Sequence, residues 1–365
     1  MRPSPRTGAA PSAVPSTARN LSADSGSRCP ARDPSPAARD DTARAPGHTV
    51  PAPVPVPRRS RRRFIPYLFI SPFFVLFFVF GLFPLGFSIW LSLHQWNPAA
   101  GLQAMEWVGL ENYLFTLADP WFHTSLWNTL WFAVVSGVPQ HLVAVPLAYF
   151  IHRRLRRSRN AVVGAYFVPY ITSSVAIALI FATLFSKDYG AINALLAALD
   201  RVPGLAALIP DEPVNWLGDA AFTKPAVAFV VFWRYLGWNL VLYLSALQTI
   251  DNDLYEAATL DGANGWQQFR WIALPLLKPM MYFAVTLTII GNLQLFEEPF
   301  ILVDGESGVA QSVMTTAIFM YRTAFSDGDF GTASAISWLL FLLIAVLTWA
   351  NARLFKDQEA RRGTH

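Results

Sequence analysis

Three charged side chains stand inside long apolar runs: Arg234, and the adjacent pair Glu297 and Glu298. A charge at the centre of a membrane-spanning helix costs about 2.5–3.5 kcal/mol on insertion scales, so such groups face a bundle interior or a water-filled cavity, or lie near the interface and snorkel. Arg234 falls about ten residues into its run, where snorkelling is hard; the glutamates come late in theirs, where either placement works. Familiar catalytic sets are missing. The six histidines (His48, His94, His123, His141, His152, His365) are scattered, with no His-Glu-x-x-His and no evident nucleophile set. The single cysteine, Cys29, excludes an intrachain disulfide and a Cys-based metal cluster, and no metal site is expected. A nucleotide-binding Gly-Lys-Ser/Thr is also absent, because the four lysines are followed by Asp188, Pro225, Pro279 and Asp357.

The elements that must position these residues are membrane helices. Of the 365 residues 53% are hydrophobic and only 14% charged, against about 25% charged in a soluble domain. A span needs about 20 apolar residues to cross about 30 Å of hydrocarbon. Six runs qualify, near 66–91, 126–151, 161–185, 225–247, 279–303 and 332–355, so the expected fold is an all-α membrane protein of six spans. Lys and Arg concentrate before the first run, between the second and third, in the connection 248–278 and after the sixth. That bias puts both termini in the cytoplasm. Residues 1–63 hold 12 of the 27 prolines, few large aliphatics, and end in Arg58-Arg59-Ser60-Arg61-Arg62-Arg63. They are read as a disordered cytoplasmic tail. The closing basic cluster also resembles a twin-arginine export signal, but the apolar run after it is too long and lacks a small-x-small cleavage site.

The connection 248–278 is richer than a link needs to be. Asp253 followed by Glu256 has capping-box spacing and opens a helix, which Asp261-Gly262 closes, since glycine takes the left-handed cap conformation cheaply. A second helix follows Asn264-Gly265 and is expected to stop near Ala273, before Pro275. Trp266, Phe269 and Ala273 share a face by their spacing, which either meets a partner or packs under the protein's own bundle.

These residues resemble a known family. Glu256-Ala257-Ala258, three residues, Gly262, nine residues, then Ile272-Ala273-Leu274-Pro275 is similar to the EAA motif of binding-protein-dependent ABC importer permeases. Ala263-Asn264-Gly265-Trp266-Gln267-Gln268-Phe269, Trp107-Val108-Gly109-Leu110-Glu111-Asn112-Tyr113, Asn128-Thr129 and Asp329-Phe330-Gly331-Thr332-Ala333-Ser334-Ala335 resemble the carbohydrate-uptake branch. The resemblance runs from about Ile65 to Phe355. Where many relatives carry Thr-x-Gly-Gly-Pro, this chain has Asp304-Gly305-Glu306-Ser307-Gly308, which bears on the outer loop's contact with a binding protein.

The resemblance implies a type I importer permease in the cytoplasmic membrane, paired with a second permease, two ATPase subunits and an extracytoplasmic solute-binding protein. No nucleic acid partner is expected. ATP and Mg would be bound by the ATPase, with no cofactor in this chain. Glu256, Ala257, Ala258, Asp261, Gly262, Trp266, Phe269, Ile272, Leu274 and Pro275 would couple to the ATPase, Glu256 anchoring the first turn and Gly262 allowing the bend. Sugars present hydroxyl edges and apolar CH faces, so amides or carboxylates beside aromatics would suit them. Trp233, Arg234, Asn239, Asn292, Gln294, Glu297 and Glu298 are the candidate substrate path, with Tyr235, Trp238 and Tyr243 nearby. The same residue types also pack helices and bond across bundles. An importer permease for another solute stays open. An ion-coupled carrier or a membrane-embedded enzyme would leave the matched loop unexplained.

Overall fold

A computed structural model describes residues 65–155, 157–202, 210, 212–303 and 311–360. The proline-rich tail, the 304–308 segment and Arg361-Arg362 lie outside the described residues. Among the described residues, four helices are long and apolar enough to cross a membrane unbroken: α1 (Tyr67–Leu91), α3 (Pro120–Arg154), α7 (Ala220–Leu247) and α13 (Phe330–Ala360). Between α1 and α3 lie a two-stranded hairpin (His94–Gln95 with Glu106–Trp107) and the short helix α2 (Glu111–Ala118). The helices start where the sequence supplies caps. Asp119 accepts from the Trp121 N–H ahead of α3, and Asp219 from the Ala221 N–H ahead of α7.

The third span is not the single helix expected over 161–185. It consists of α4 (Arg159–Ile171) and α5 (Ser174–Leu184), bent by 95°. Pro169 weakens the last turn of α4, and extended backbone at Thr172 and Ser173 ends it. The helix expected over 279–303 is interrupted too. It runs as α10 (Lys278–Leu293), breaks at 294–296, and resumes as α11 (Glu297–Leu302). Lengthwise α10 is only 16 residues. With the helix before it, bent by 68°, it forms the second broken pair, and the two pairs bring the total to six spans by length and composition.

After the short helix α6 (Ala191–Asp200), α7 runs through the middle of the bundle and is the most buried span. Gly237 lets it approach α4 so closely that a Cβ there would lie 1.7 Å from the Tyr166 carbonyl oxygen. Towards one end, Phe132, Phe181, Val227, Val231 and Leu302 pack α3, α5, α7 and α11 into one core. Towards the other, Ala148, Ile151, Leu240 and Leu247 pack with Phe269, Ala273 and Leu277 into a second. By contrast the apolar window of α1 has no buried residue. The softer family matches turn out to be junctions. Asn112 donates to the Ser92 and His94 carbonyls at 2.9 Å each and accepts from Thr332. Asn128 donates to the Gln311 and Met314 carbonyls while accepting from Lys224 at 2.8 Å.

Candidate functional site: a bundle cavity and the loop pair beneath it

The candidate path residues divide into three groups. Asn239 and Asn292 line a cavity of about 240 Å³, together with Gln140, Tyr170, Tyr235, Trp238, Leu287, Thr288, Ile290 and Gly291. Its walls therefore come from α3, α4, α7 and α10. The Tyr170 and Trp238 rings stack at 4.7 Å and form an aromatic plate. Asn292 donates to the Ser136 hydroxyl at 3.2 Å, and Gly137 leaves room for it, because a Cβ there would lie 2.8 Å from Asn292 Nδ2. Asn239 donates to Gln140 Oε1 at 3.0 Å. That leaves Gln140 Nε2 and Asn239 Oδ1 buried without a partner. Each such group costs about 1–3 kcal/mol, a cost that a hydroxylated ligand in the cavity would relieve.

Arg234, Glu297 and Glu298 do not line that cavity. Arg234 forms an ion pair with Glu298, the side chains 11% and 3% exposed, and Arg234 Nη2 also reaches the Thr172 carbonyl at 3.5 Å. Glu297 accepts from the Ser174 hydroxyl. All three charges are thus spent where the two interrupted spans meet α7. Gln294 and Trp233 lie elsewhere again. Gln294 lines a separate cavity of about 680 Å³ with Ser88, Tyr321 and Trp338, and Trp233 packs edge-on against Phe181 at 5.2 Å. Tyr243 is bonded to His141 Nδ1 at 2.7 Å.

The loop between α7 and α10 folds as two helices, α8 (Asn252–Leu260) and α9 (Gly265–Leu276). The cap differs from the expected one. Asp251 is the N-cap and accepts from the Asp253 N–H, which leaves Glu256 exposed on the helix rather than closing a capping box. The reciprocal box opens α9 instead, between Asn264 and Gln267. Gly262 takes φ +83°, and the bonds from Ala263 N to Ala258 O and from Gly262 N to Thr259 O make the Schellman turn that reverses the chain.

The helix expected to stop near Ala273 continues to Leu276. A π turn over Phe269–Ala273 carries it past Pro275, and the break falls at Leu277. The expected Trp266–Phe269–Ala273 face is graded in burial: Phe269 and Ala273 are buried, while Trp266, its ring 5.4 Å from that of Phe269, lies at the outer edge and is 69% exposed. Of the remaining motif residues, Ala257 and Asp261 are exposed, and Ala258, Ile272, Leu274 and Pro275 are half-buried.

What holds the pair to the bundle was missed from sequence. Gln268, buried, accepts from Arg153 at the end of α3 (3.0 Å) and donates to Thr259 on α8 (2.9 Å) and to the Ala263 carbonyl (3.2 Å). Tyr149 donates to the Gly265 carbonyl at 3.1 Å. Tyr255 is buried with the Arg153 guanidinium 4.6 Å from its ring centre, and burial, with Tyr149 close by, pushes its phenol up to about 12 against the opposing pull of Arg153. On the outside Leu260, Trp266 and Trp271 are 89%, 69% and 70% exposed. Apolar side chains that prominent on a folded loop mark an interaction surface.

Residues 144–358, which contain both the loop pair and most of the cavity, match the family described as the binding-protein-dependent transport system inner membrane component. The chain belongs to this family. It is an ABC importer permease, and ATP hydrolysis in these systems belongs to a separate subunit.

Among relatives, the permease is 35% identical to the probable ABC transporter permease protein YurN of Bacillus subtilis, over 81% of this chain and 98% of that one. It is 33% identical to the lactose transport system permease protein LacF of Rhizobium radiobacter, over 78% and 91%. Its fold is similar to that in the crystal structure of a bacterial ABC transporter involved in the import of the acidic polysaccharide alginate. The TM-score there is 0.69 at 21% identity, covering 81% of this chain and 96% of that chain.

Proposed function

We propose that this permease carries a sugar across a bacterial-type cytoplasmic membrane, receiving it from an extracytoplasmic binding protein and driven by two ATPase subunits that hold ATP and Mg. A second, different permease completes the pathway. The names of its relatives support the sugar, since lactose, arabinooligosaccharide and trehalose/maltose permeases are among them. The observation that carries the coupling reading is the connection of the loop pair to the cavity. The exposed ridge of α8 and α9 offers Leu260, Trp266 and Trp271 to a partner. Its inner side is fixed to α3 through Arg153 and Gln268 and leads directly into α7 and α10. Those three helices supply Gln140, Trp238, Asn239 and Asn292 to the cavity. A partner that displaces the ridge as a rigid body therefore moves three walls of the cavity together. On this reading the ridge faces the cytoplasm, where the Lys/Arg bias of the sequence puts it.

Purification of the tagged chain from mild detergent, with and without Glu256→Lys, tests this. Glu256 is exposed, so the substitution leaves the loop's packing intact. The expected result is co-purification of an ATPase and a second permease, with the ATPase selectively lost in the variant. A chain that purifies alone in both forms would sink the reading.

A further inference from the structure

Resting on the sugar-importer reading, we propose that the cavity between α3, α4, α7 and α10 admits one uncharged sugar ring at a time, and that Gln140 acts with Asn239 to read a pair of ring hydroxyls. Gln140 was not among the residues the sequence singled out. Its claim comes from what the fold leaves undone. Both amides are 1% exposed, and the one bond between them consumes one donor and one acceptor. Asn239 Nδ2 also donates to the Tyr235 carbonyl at 3.4 Å, so what remains is the Gln140 Nε2 donor and the Asn239 Oδ1 acceptor, each buried without a partner in residues that line the same space. Turning both amides over would set the Asn239 oxygen against the Tyr235 carbonyl oxygen, so the bond donated there favours the present sense. A hydroxyl both gives and takes a hydrogen bond, so neighbouring ring hydroxyls complete this pair. A carboxylate only accepts and would meet Asn239 oxygen with repulsion.

Size and charge agree. At about 240 Å³ the cavity lies below the roughly 300 Å³ at which pockets for drug-sized ligands begin, which suits a single ring against the Tyr170–Trp238 plate rather than a chain. None of its lining residues carries a charge, and the nearby Arg234 is spent on Glu298. A uronic acid would leave its solvation shell and find no cation in exchange. The cargo is therefore set apart from the acidic polysaccharide of the solved relative.

The test is equilibrium titration of the purified importer complex, read by tryptophan fluorescence, with Trp238→Phe identifying the signal from the cavity. The probes are glucose and galactose against glucuronate and galacturonate, pairs that differ only in a carboxylate. Leucine and inorganic phosphate serve as non-sugar solutes. At least one neutral sugar is expected to bind saturably, and its uronate at least about tenfold more weakly. Gln140→Met is expected to weaken the neutral sugar by about tenfold, the worth of one buried hydrogen bond. Equal binding of sugar and uronate, or unchanged affinity in Gln140→Met, overturns the proposal while leaving a sugar importer in place. Response to leucine or phosphate with none to any sugar overturns the sugar reading itself, and this proposal with it. Should Gln140→Met fail to assemble, the sugar–uronate comparison on the unaltered complex still decides.

Discussion

Arg234 on α7 and Glu298 on α11 form an ion pair at the place where both interrupted spans are held to the central helix. Arg234 also reaches the carbonyl of Thr172, the residue at which the third span turns, and Glu297 next door holds Ser174 across the same turn. Irregular backbone at membrane depth needs partners for its polar groups, and here Arg234 reaches the carbonyl of the half-buried Thr172 while Glu297 takes the hydroxyl of the buried Ser174. Breaking the pair from one side leaves a charge buried alone, at a cost of about 3–5 kcal/mol. Arg234→Met and Glu298→Gln are each expected to lower the unfolding temperature of the detergent-purified protein and to abolish uptake. The double variant Arg234→Met/Glu298→Leu should recover most of the thermal loss without recovering uptake. A double variant no more stable than either single one would show that the pair is not the fastening.

Gln268 performs the corresponding task for the loop. It joins Arg153, Thr259 and the Ala263 carbonyl, so Gln268→Leu removes three hydrogen bonds, one of them to a charged group, worth together about 2–4 kcal/mol in a buried setting. The expected outcome is faster amide hydrogen exchange across α8 and weaker retention of the ATPase, with exchange in α13 unchanged. Uniform acceleration throughout the protein would mean that Gln268 serves global stability instead.

How much of this could be read in advance follows from which signals are local. The unbroken spans were legible because long apolar runs are a local signal; the caps Asp119 and Asp219 start α3 and α7 several residues before the runs expected from 126 and 225. Gly262 was legible because an αL turn has a single-residue signature. The interruptions were not. Thr172 and Ser173 barely dent the hydropathy, and Pro169 is no reliable marker when Pro139 and Pro146 sit inside the unbroken α3. The shared face of Trp266, Phe269 and Ala273 was legible from spacing, but how deeply each residue is buried was not: Trp266 touches Phe269 and still stands 69% exposed at the rim. The π turn over Phe269–Ala273, which carries the helix past Pro275, has no such spacing signal. Gln140 and Gln268 were invisible because an amide declares its role only through its partners, and these lie 99 residues away in one case (Asn239) and 115 in the other (Arg153, at the end of α3).

Gly262 supplies a prediction free of steric complication. Nothing lies within 4 Å of the position a Cβ would take, so the cost of a side chain there is conformational. At φ +83° a β-branched residue is strained by about 1–2 kcal/mol, and the turn is expected to reopen. Gly262→Val should lose ATP-coupled uptake while the protein still inserts and purifies, and Gly262→Asn, which tolerates the left-handed region better, should keep much of it. Intact uptake in Gly262→Val would remove the rigid lever from the mechanism.

Tyr255 offers a test by pH. Its ring is buried beneath the loop, its hydroxyl has no hydrogen-bond partner, and burial pushes the phenol up to about 12. A phenol raised above its unfolded value of about 10 favours the folded loop while both states are protonated. That contribution is complete below about pH 10 and is lost as pH climbs toward about 12. Hydrogen exchange of α8, corrected for its intrinsic base catalysis, should therefore show the loop loosening through that window in the natural sequence. Tyr255→Phe removes a polar atom that has no partner, so it is expected to hold the loop as well or better, by up to about 1 kcal/mol. It should also erase the alkaline loss. A Phe variant that loosens at the same pH would trace the transition to another group, and one that is destabilised at neutral pH would mean that the hydroxyl is bonded after all.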